Sequence, residues 1–211
     1  MIANEEEAMA WLRLLPEFDA AAEQRLRNFV KMLGEENQRQ NLVSTNSLGE
    51  VWRRHIADSA QLLKFVPRET APWLDLGTGA GFPGLVIAAL RPRSPVILVE
   101  SRARRIAWLE QVRQALGLDA IEIVGDRLEN VAARKMGAIS ARAFAPLPRL
   151  IALSARFSTS ETIWVLPKGR SAQQELQELS PRPHAFHVEQ SVTDADSGII
   201  VGRLTGRKEA A

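Results

Sequence analysis

The chain contains no cysteine among its 211 residues. That excludes disulfides, thiolate metal sites and every mechanism with a thiol nucleophile. Histidine is scarce, and His55, His184 and His187 do not have the spacing of metal ligands backed by carboxylates, so no metal is expected. No apolar run approaches the ~20 residues of a membrane span. The acidic start, Met1 to Glu7, lacks the basic and apolar regions of a signal peptide. A cytoplasmic protein with no membrane partner is the expectation. Internal repeats and low-complexity linkers are missing as well. Net charge is only +2, but the cationic side chains are mostly arginines, and they cluster. Arginine suits phosphate and base-edge contacts, which favours a nucleic-acid partner modestly.

The length suits one large α/β domain with a helical extension. Helices are predicted over 4–15 and 19–33, separated by Pro16. Asp19 reads as an N-cap, Leu26, Phe29, Val30 and Leu33 form one apolar stripe, and Gly34 is expected to end the helix. The polar stretch Glu35 to Ser44 reads as solvated helix or loop. Ser47 and Glu50 form a capping box opening a third helical region that runs to about Val66. Within it Arg54, His55 and Asp58 fall on adjoining stripes. From residue 72 the pattern alternates. Strands are predicted at 73–76, 95–100, 120–124, 137–142, 161–166, 185–190 and 198–204, with helices at about 83–90, 102–116, 127–134, 146–156 and 171–179. This argues for a doubly wound, mostly parallel sheet. The last two strands lack an intervening helix, so they should form a closing antiparallel hairpin. The expected division is an N-terminal helical extension, 1–66, a sheet domain, 67–206, and a tail, 207–211.

The densest signal is Trp73 to Gly84, where an apolar strand ends in Asp75 and passes through Gly77, Gly79, Gly81 and Gly84 into the apolar segment Leu85 to Leu90. Glycine permits positive φ and lets a ligand approach the main chain. The following helix offers free N–H groups, and Pro83 suits its first turn. Gly79 to Gly84 satisfies G-x-G-x-x-G, the dinucleotide fingerprint. Read from Asp75, the same residues give D-x-G-x-G-x-G, the pattern of S-adenosylmethionine (AdoMet) methyltransferases, in which the carboxylate would answer the ammonium of the methionine moiety. A structural βα turn without a ligand is the plainest alternative.

Glu100 ends the second strand about 20 positions after Gly81, where an acid can accept from both ribose hydroxyls of a nucleoside cofactor. Both NAD and AdoMet contain that ribose. Further strand ends carry Gly125 to Glu129, Arg142 and Pro167 to Arg170 to the same edge, where ligands of doubly wound sheets sit. The arginines at 102, 104, 105 and 113 read singly as a solvated face.

Taken together, Asn41 to Ser44, Arg54 to Ser59, Asp75 to Gly84, Val99 to Ser101, Ala141 to Phe144 and Leu166 to Gly169 resemble one family. This is the bacterial 16S ribosomal RNA guanine-N7 methyltransferases, small-subunit methyltransferase G, also called glucose-inhibited division protein B. Ala80 stands where proline is frequent, and Glu100 where aspartate is. The resemblance implies a class I AdoMet-dependent fold, Rossmann-like, with a seven-stranded mostly parallel sheet. It places AdoMet around Gly77, Phe82, Leu128, Glu129 and Arg142, with Glu100 on the ribose; Asp75 and Gly79 complete the expected cofactor set. It implies a guanine in the decoding-region loop of 16S rRNA, met within the 30S subunit or an assembly intermediate by a monomer. Guanine N7 has an in-plane lone pair and no proton, so attack on the methyl group needs neither a general base nor a covalent enzyme intermediate. No residue is therefore assigned as catalytic, and Arg54, His55, Asp58 and Lys168 are candidates for positioning the substrate. Asp58 or another acid would accept from guanine N1–H and N2–H₂, while Arg54, Lys168 and Arg170 would hold phosphates. A NAD(P)-dependent oxidoreductase and a non-catalytic RNA-binding module are the competing readings.

Overall fold

A computed structural model describes residues 1–179 and 184–205. The expected tail, 207–211, lies outside the described residues. Helix α1 (Glu5–Leu12) is capped by Asn4, and α2 (Ala20–Gln40) by Asp19, whose carboxylate accepts the Ala22 N–H at 2.7 Å. The expected stop at Gly34 is wrong. The helix runs on to Gln40 and ends at Asn41, which takes the left-handed conformation at φ 43°. Asn37 explains the extension: it sits on the buried face below Leu33, and its side chain accepts the Val43 N–H. A glycine inside a helix costs only about 1 kcal/mol, less than this added contact face recovers.

The next segment also departs from expectation. Ser44, three residues before the predicted cap, opens α3 (Thr45–Leu48) by accepting the Ser47 N–H. Glu50 pairs with Arg53 and does not close a capping box. The chain then widens into a π-helical stretch, Trp52–Ala57, continues through the short α4 (Asp58–Ala60) and tightens to a 3₁₀ turn, Gln61–Phe65. The first amides of the π stretch would otherwise be orphaned. Glu5 of α1 caps them, accepting from Trp52 and Arg53 at 3.0 and 2.8 Å.

The strands lie close to where apolar alternation puts them: β1 (Trp73–Leu76), β2 (Val96–Val99), β3 (Ile121–Val124), β4 (Ala138–Ala141), β5 (Ile163–Gly169), β6 (His187–Gln190) and β7 (Gly198–Gly202). Their order is β3-β2-β1-β4-β5-β7-β6. Neighbours from β3 to β5 are parallel, and β7 is antiparallel to both β5 and β6, so the closing hairpin is present. Because β1 lies between β2 and β4, a crevice opens above the carboxyl ends of β1 and β4.

Helices α5 (Gly84–Leu90) and α6 (Ala103–Ala115) cover one face, and α7 (Leu147–Ser154) and α8 (Ala172–Glu178) the other. The N-terminal helices share the first core, with Phe29 of α2 5.3 Å from Phe82 and 6.2 Å from Trp108. Of the predicted helix over 127–134, only a 3₁₀ turn at Leu128–Asn130 forms. Asp126 accepts from the Arg127 N–H and the Asn130 side chain, closing a tight turn, and the extended chain beyond it buries Val131 and Met136.

Asp75 ties these parts together. It is fully buried; one oxygen accepts the Gly84 N–H at 3.0 Å, the other the Ser140 hydroxyl at 2.7 Å, and the Trp73 indole N–H donates to that same hydroxyl. One carboxylate thereby fixes β1, the start of α5 and β4. Gly84 has no room for a side chain, since a Cβ would lie 2.3 Å from Leu98 Cδ2 and 2.8 Å from Asp75 Oδ2. Burial raises the Asp75 carboxyl from 3.8 to about 6, against the pull of its hydrogen bonds. The folded state thus holds the proton more tightly than the unfolded chain. The stability this group contributes is complete below pH 3.8 and is lost as pH rises through about 6. In urea unfolding, the stability of the wild type relative to Asp75→Asn should fall by on the order of 2–3 kcal/mol across that window. A flat difference would contradict this.

Candidate functional site

Two clefts flank the crevice. The first, of about 550 Å³, is lined by Gly77, Gly79, Glu100, Leu128 and Glu129 among others. Five of the eight residues expected to bind a cofactor therefore meet in one place. Gly77 and Gly79 have φ of 64° and 58°, and a Cβ on Gly77 would lie 2.5 Å from the Phe144 ring. The close fit of ring to backbone explains why glycine stands there. Glu100 Oε1 accepts from the Ser101 and Arg102 N–H groups at 2.7 and 2.9 Å, and Oε2 accepts from Gly79 at 3.0 Å. A carboxylate offers about four lone-pair positions. Three are engaged, which leaves room for one hydroxyl where two were expected.

Asp75 does not line this cleft; its oxygens serve the turn, and the carboxylate expected to meet an ammonium group is enclosed. Phe82 is buried behind the turn, with the His55 ring stacked on it at 4.8 Å and the Arg142 guanidinium 4.9 Å from its centroid.

The second cleft, of about 630 Å³, is lined by Asp58, Arg142, Lys168 and residues of the β6–β7 hairpin. Ala143, Phe144, Ala145 and Pro146 line both clefts, so this strip after β4 is their common wall. Ala143 holds φ at 52°, a conformation a non-glycine residue adopts only when its surroundings impose it. Lys168 imposes part of it by donating to the Ala145 carbonyl at 2.7 Å while paired with Glu175 at 2.9 Å. Glu175 also accepts the Leu147 N–H at the start of α7. Lys168 is thus an internal strut, its side chain only 9% exposed, where a phosphate ligand had been expected. Arg170 reaches solvent, paired with Asp196.

Arg54, His55 and Asp58 line, with Arg142, a third cleft of about 390 Å³, but their side chains have different partners. Arg54 points out toward Glu50, 3.7 Å away, whereas His55 and Asp58 converge on Arg142. Arg142 Nη1 donates to His55 Nδ1 at 3.1 Å and lies 3.6 Å from Asp58. A guanidinium can only donate, so His55 Nδ1 accepts and Nε2 carries the hydrogen, which finds no partner among the described residues. Burial, then Arg142 and Arg54, lower His55 from 6.5 to about 3, so the imidazole is neutral at neutral pH. Burial raises the Asp58 carboxyl, and Arg142, Thr193 and Gln61 counter it.

Gln61 and Thr193, which the sequence did not single out, hold Asp58 through its Oδ1 at 2.9 Å each. Gln61 also bonds Ser191 and accepts the Val192 N–H, locking the hairpin loop to the N-terminal helices. Gln61 was findable as the residue one helical turn past Asp58; Thr193, distant in sequence, was not. Among the described residues no metal-holding group of His, Asp or Glu occurs, and no helix is long and apolar enough to cross a membrane.

The family model for rRNA small subunit methyltransferase G matches residues 22–197. The chain belongs to that family. Ribosomal RNA small subunit methyltransferase G of Erythrobacter litoralis is 59% identical over 96% of this chain and 98% of its own length. The Novosphingobium aromaticivorans protein of that name is 54% identical over 100% of this chain and 93% of its own. Solved structures show the same fold at low identity. A cofactor-bound protein from MTB superposes with a TM-score of 0.67 at 15% identity, over 98% of this chain and 100% of that one. The O-methyltransferase from Bacillus cereus in complex with SAH gives 0.59 at 14%, over 90% and 94%.

The first cleft fits AdoMet. Its lining includes the Gly77 and Gly79 backbone at positive φ, a Glu100 carboxylate with one lone pair unengaged, and Leu128. Glu100→Ala should weaken AdoMet about 10–100-fold in calorimetric titration, because a charged acceptor and the order of the Gly79 turn are lost together. Unchanged affinity would remove Glu100 from the cofactor site.

Proposed function

We propose that the chain transfers a methyl group from AdoMet to N7 of a guanine in the decoding-region loop of 16S rRNA, as a cytoplasmic monomer acting on the 30S subunit or an assembly intermediate. As a member of its family it is an AdoMet-dependent rRNA methyltransferase. One observation supports the finer reading: a cofactor-sized cleft and a second cleft, lined by Asp58, Arg142 and Lys168 among others, share the Ala143–Pro146 wall.

In this reading Gly77, Gly79, Glu100, Leu128 and Glu129 hold AdoMet, and Arg142, expected among them, lines the second cleft instead. AdoMet supplies an electrophilic methyl group. Everything else asked of the protein is placement. Guanine N7 loses no proton on methylation, so a site without a free base or a thiol suffices. Holding donor and acceptor in line can contribute ~7–11 kcal/mol of the barrier. Asp58, steadied by Gln61 and Thr193, accepts from the guanine N1–H and N2–H₂ groups at the second cleft. Neutral His55 keeps Arg142 oriented without competing for its charge.

Two assays test this. Tritiated methyl transfer to unmodified 16S RNA, offered naked and as 30S subunits, should yield 7-methylguanosine on nuclease digestion; label in another nucleoside would overturn the target. Asp58→Asn should lower kcat/KM for RNA by about tenfold or more while AdoMet affinity stays near wild type, since one acceptor facing two donors is lost. An Asp58→Asn protein with normal RNA turnover would exclude the assigned role.

A further inference from the structure

We propose that Arg102, Arg127 and Arg149 hold phosphates of the rRNA strand across the mouth of the cofactor cleft, so that AdoMet enters before the RNA and its product leaves after it. The proposal rests on the rRNA reading above and adds to it a docking surface and an order of events.

These arginines come from three separate elements. Arg102 directly precedes α6 beyond β2, Arg127 precedes the 3₁₀ turn beyond β3, and Arg149 lies in the first turn of α7 beyond β4. All three are exposed, and all three line the cofactor cleft. Among the described residues most arginine guanidinium groups have a hydrogen-bond, ion-pair or ring partner. Arg93, Arg102, Arg104, Arg127 and Arg149 have none, and three of these five stand at one opening.

The acids at that opening, Glu100, Asp126 and Glu129, equal the arginines in number, but none is paired with them. Glu100 is taken up by three backbone N–H groups, and Asp126 by the Arg127 N–H and the Asn130 side chain, leaving Glu129 as the one exposed acid without a side-chain partner. The cofactor does not need them either. AdoMet carries a sulfonium and an ammonium against a single carboxylate, so three guanidinium groups at its door oppose its charge. Their complement is a polyanion that arrives from outside, and arginine is the side chain best shaped for phosphate. A strand lying on the three covers the opening and closes the exit of the cleft.

The test uses the full-length protein with unmodified 16S RNA. Labelled AdoMet is bound, chased with excess unlabelled AdoMet, and its release timed with and without RNA. RNA should slow release from wild type about tenfold or more. The triple Arg102→Gln, Arg127→Gln, Arg149→Gln variant should bind AdoMet within about twofold of wild type and release it at a rate indifferent to RNA. Its plot of log RNA affinity against log salt should be shallower by about 2, the counterion release of three single-strand phosphate contacts. An unchanged salt slope, or wild-type release as fast under RNA as without it, would overturn the proposal. Loss of AdoMet affinity at an unchanged slope would assign the arginines to the cofactor instead. Wild-type protein that methylates no 16S RNA would overturn the substrate reading and this proposal with it; normal methylation with RNA-indifferent release would overturn this proposal alone.

Discussion

A carboxylate with no access to water must be given donors by the chain around it, or be neutralised. Asp75 is such a group, and much of the architecture follows from how it is satisfied. Its donors are the first amide of α5 and a hydroxyl on β4. To bring that amide back over the end of β1, the chain must turn tightly within nine residues. It does so through Gly77, Gly79 and Gly81, all at positive φ. The floor of the cofactor cleft is the outer side of this turn, and Glu100 braces it from β2 through the Gly79 amide. A group that never faces the ligand thus shapes the surface that does.

The strip from Ala143 to Pro146 has an equivalent logic. It is held by the Phe144 ring over Gly77, by Lys168 at the Ala145 carbonyl and by Glu175 at the Leu147 amide. Those struts come from β1, β5 and α8, so the wall between the clefts is fixed by both halves of the sheet. For the guanine-N7 transfer proposed above, which moves no proton from its nucleophile, such fixed separation of donor and acceptor would be the main service the protein renders.

What the sequence disclosed was what local physics controls. Apolar runs bounded by turn residues placed the buried parallel strands β1, β2 and β4, which need continuous apolar residues, while the half-exposed β6 was placed by its position before the closing turn. The glycine turn and Glu100 were visible for the same reason. The failures came where tertiary partners overrode local signals. Gly34 did not stop α2, because Asn37 had a buried bond to make. Ser47 and Glu50 did not cap: Ser44 capped α3, and Glu5, 47 positions before Trp52, capped the next segment from α1. Lys168 reads as a phosphate ligand until Glu175 is seen beside it. Asp75 was recognised as important, but its purpose is turned inward, and only burial reveals that. The pairing of Asp58 with Thr193 spans 135 positions, and no periodicity carries such information.

In the proposed function, one wall, Ala143 to Pro146, divides the cleft for AdoMet from the cleft for the guanine. A crystal structure of the protein soaked with S-adenosylhomocysteine tests it most directly. The ribose should lie within hydrogen-bond reach of Glu100, the purine against Leu128 and the sulfur toward the Ala143–Ala145 strip, with the Asp58–Lys168 cleft left open. Density for the nucleoside in the cleft between Asp58 and Lys168, or a ribose out of reach of Glu100, would contradict it.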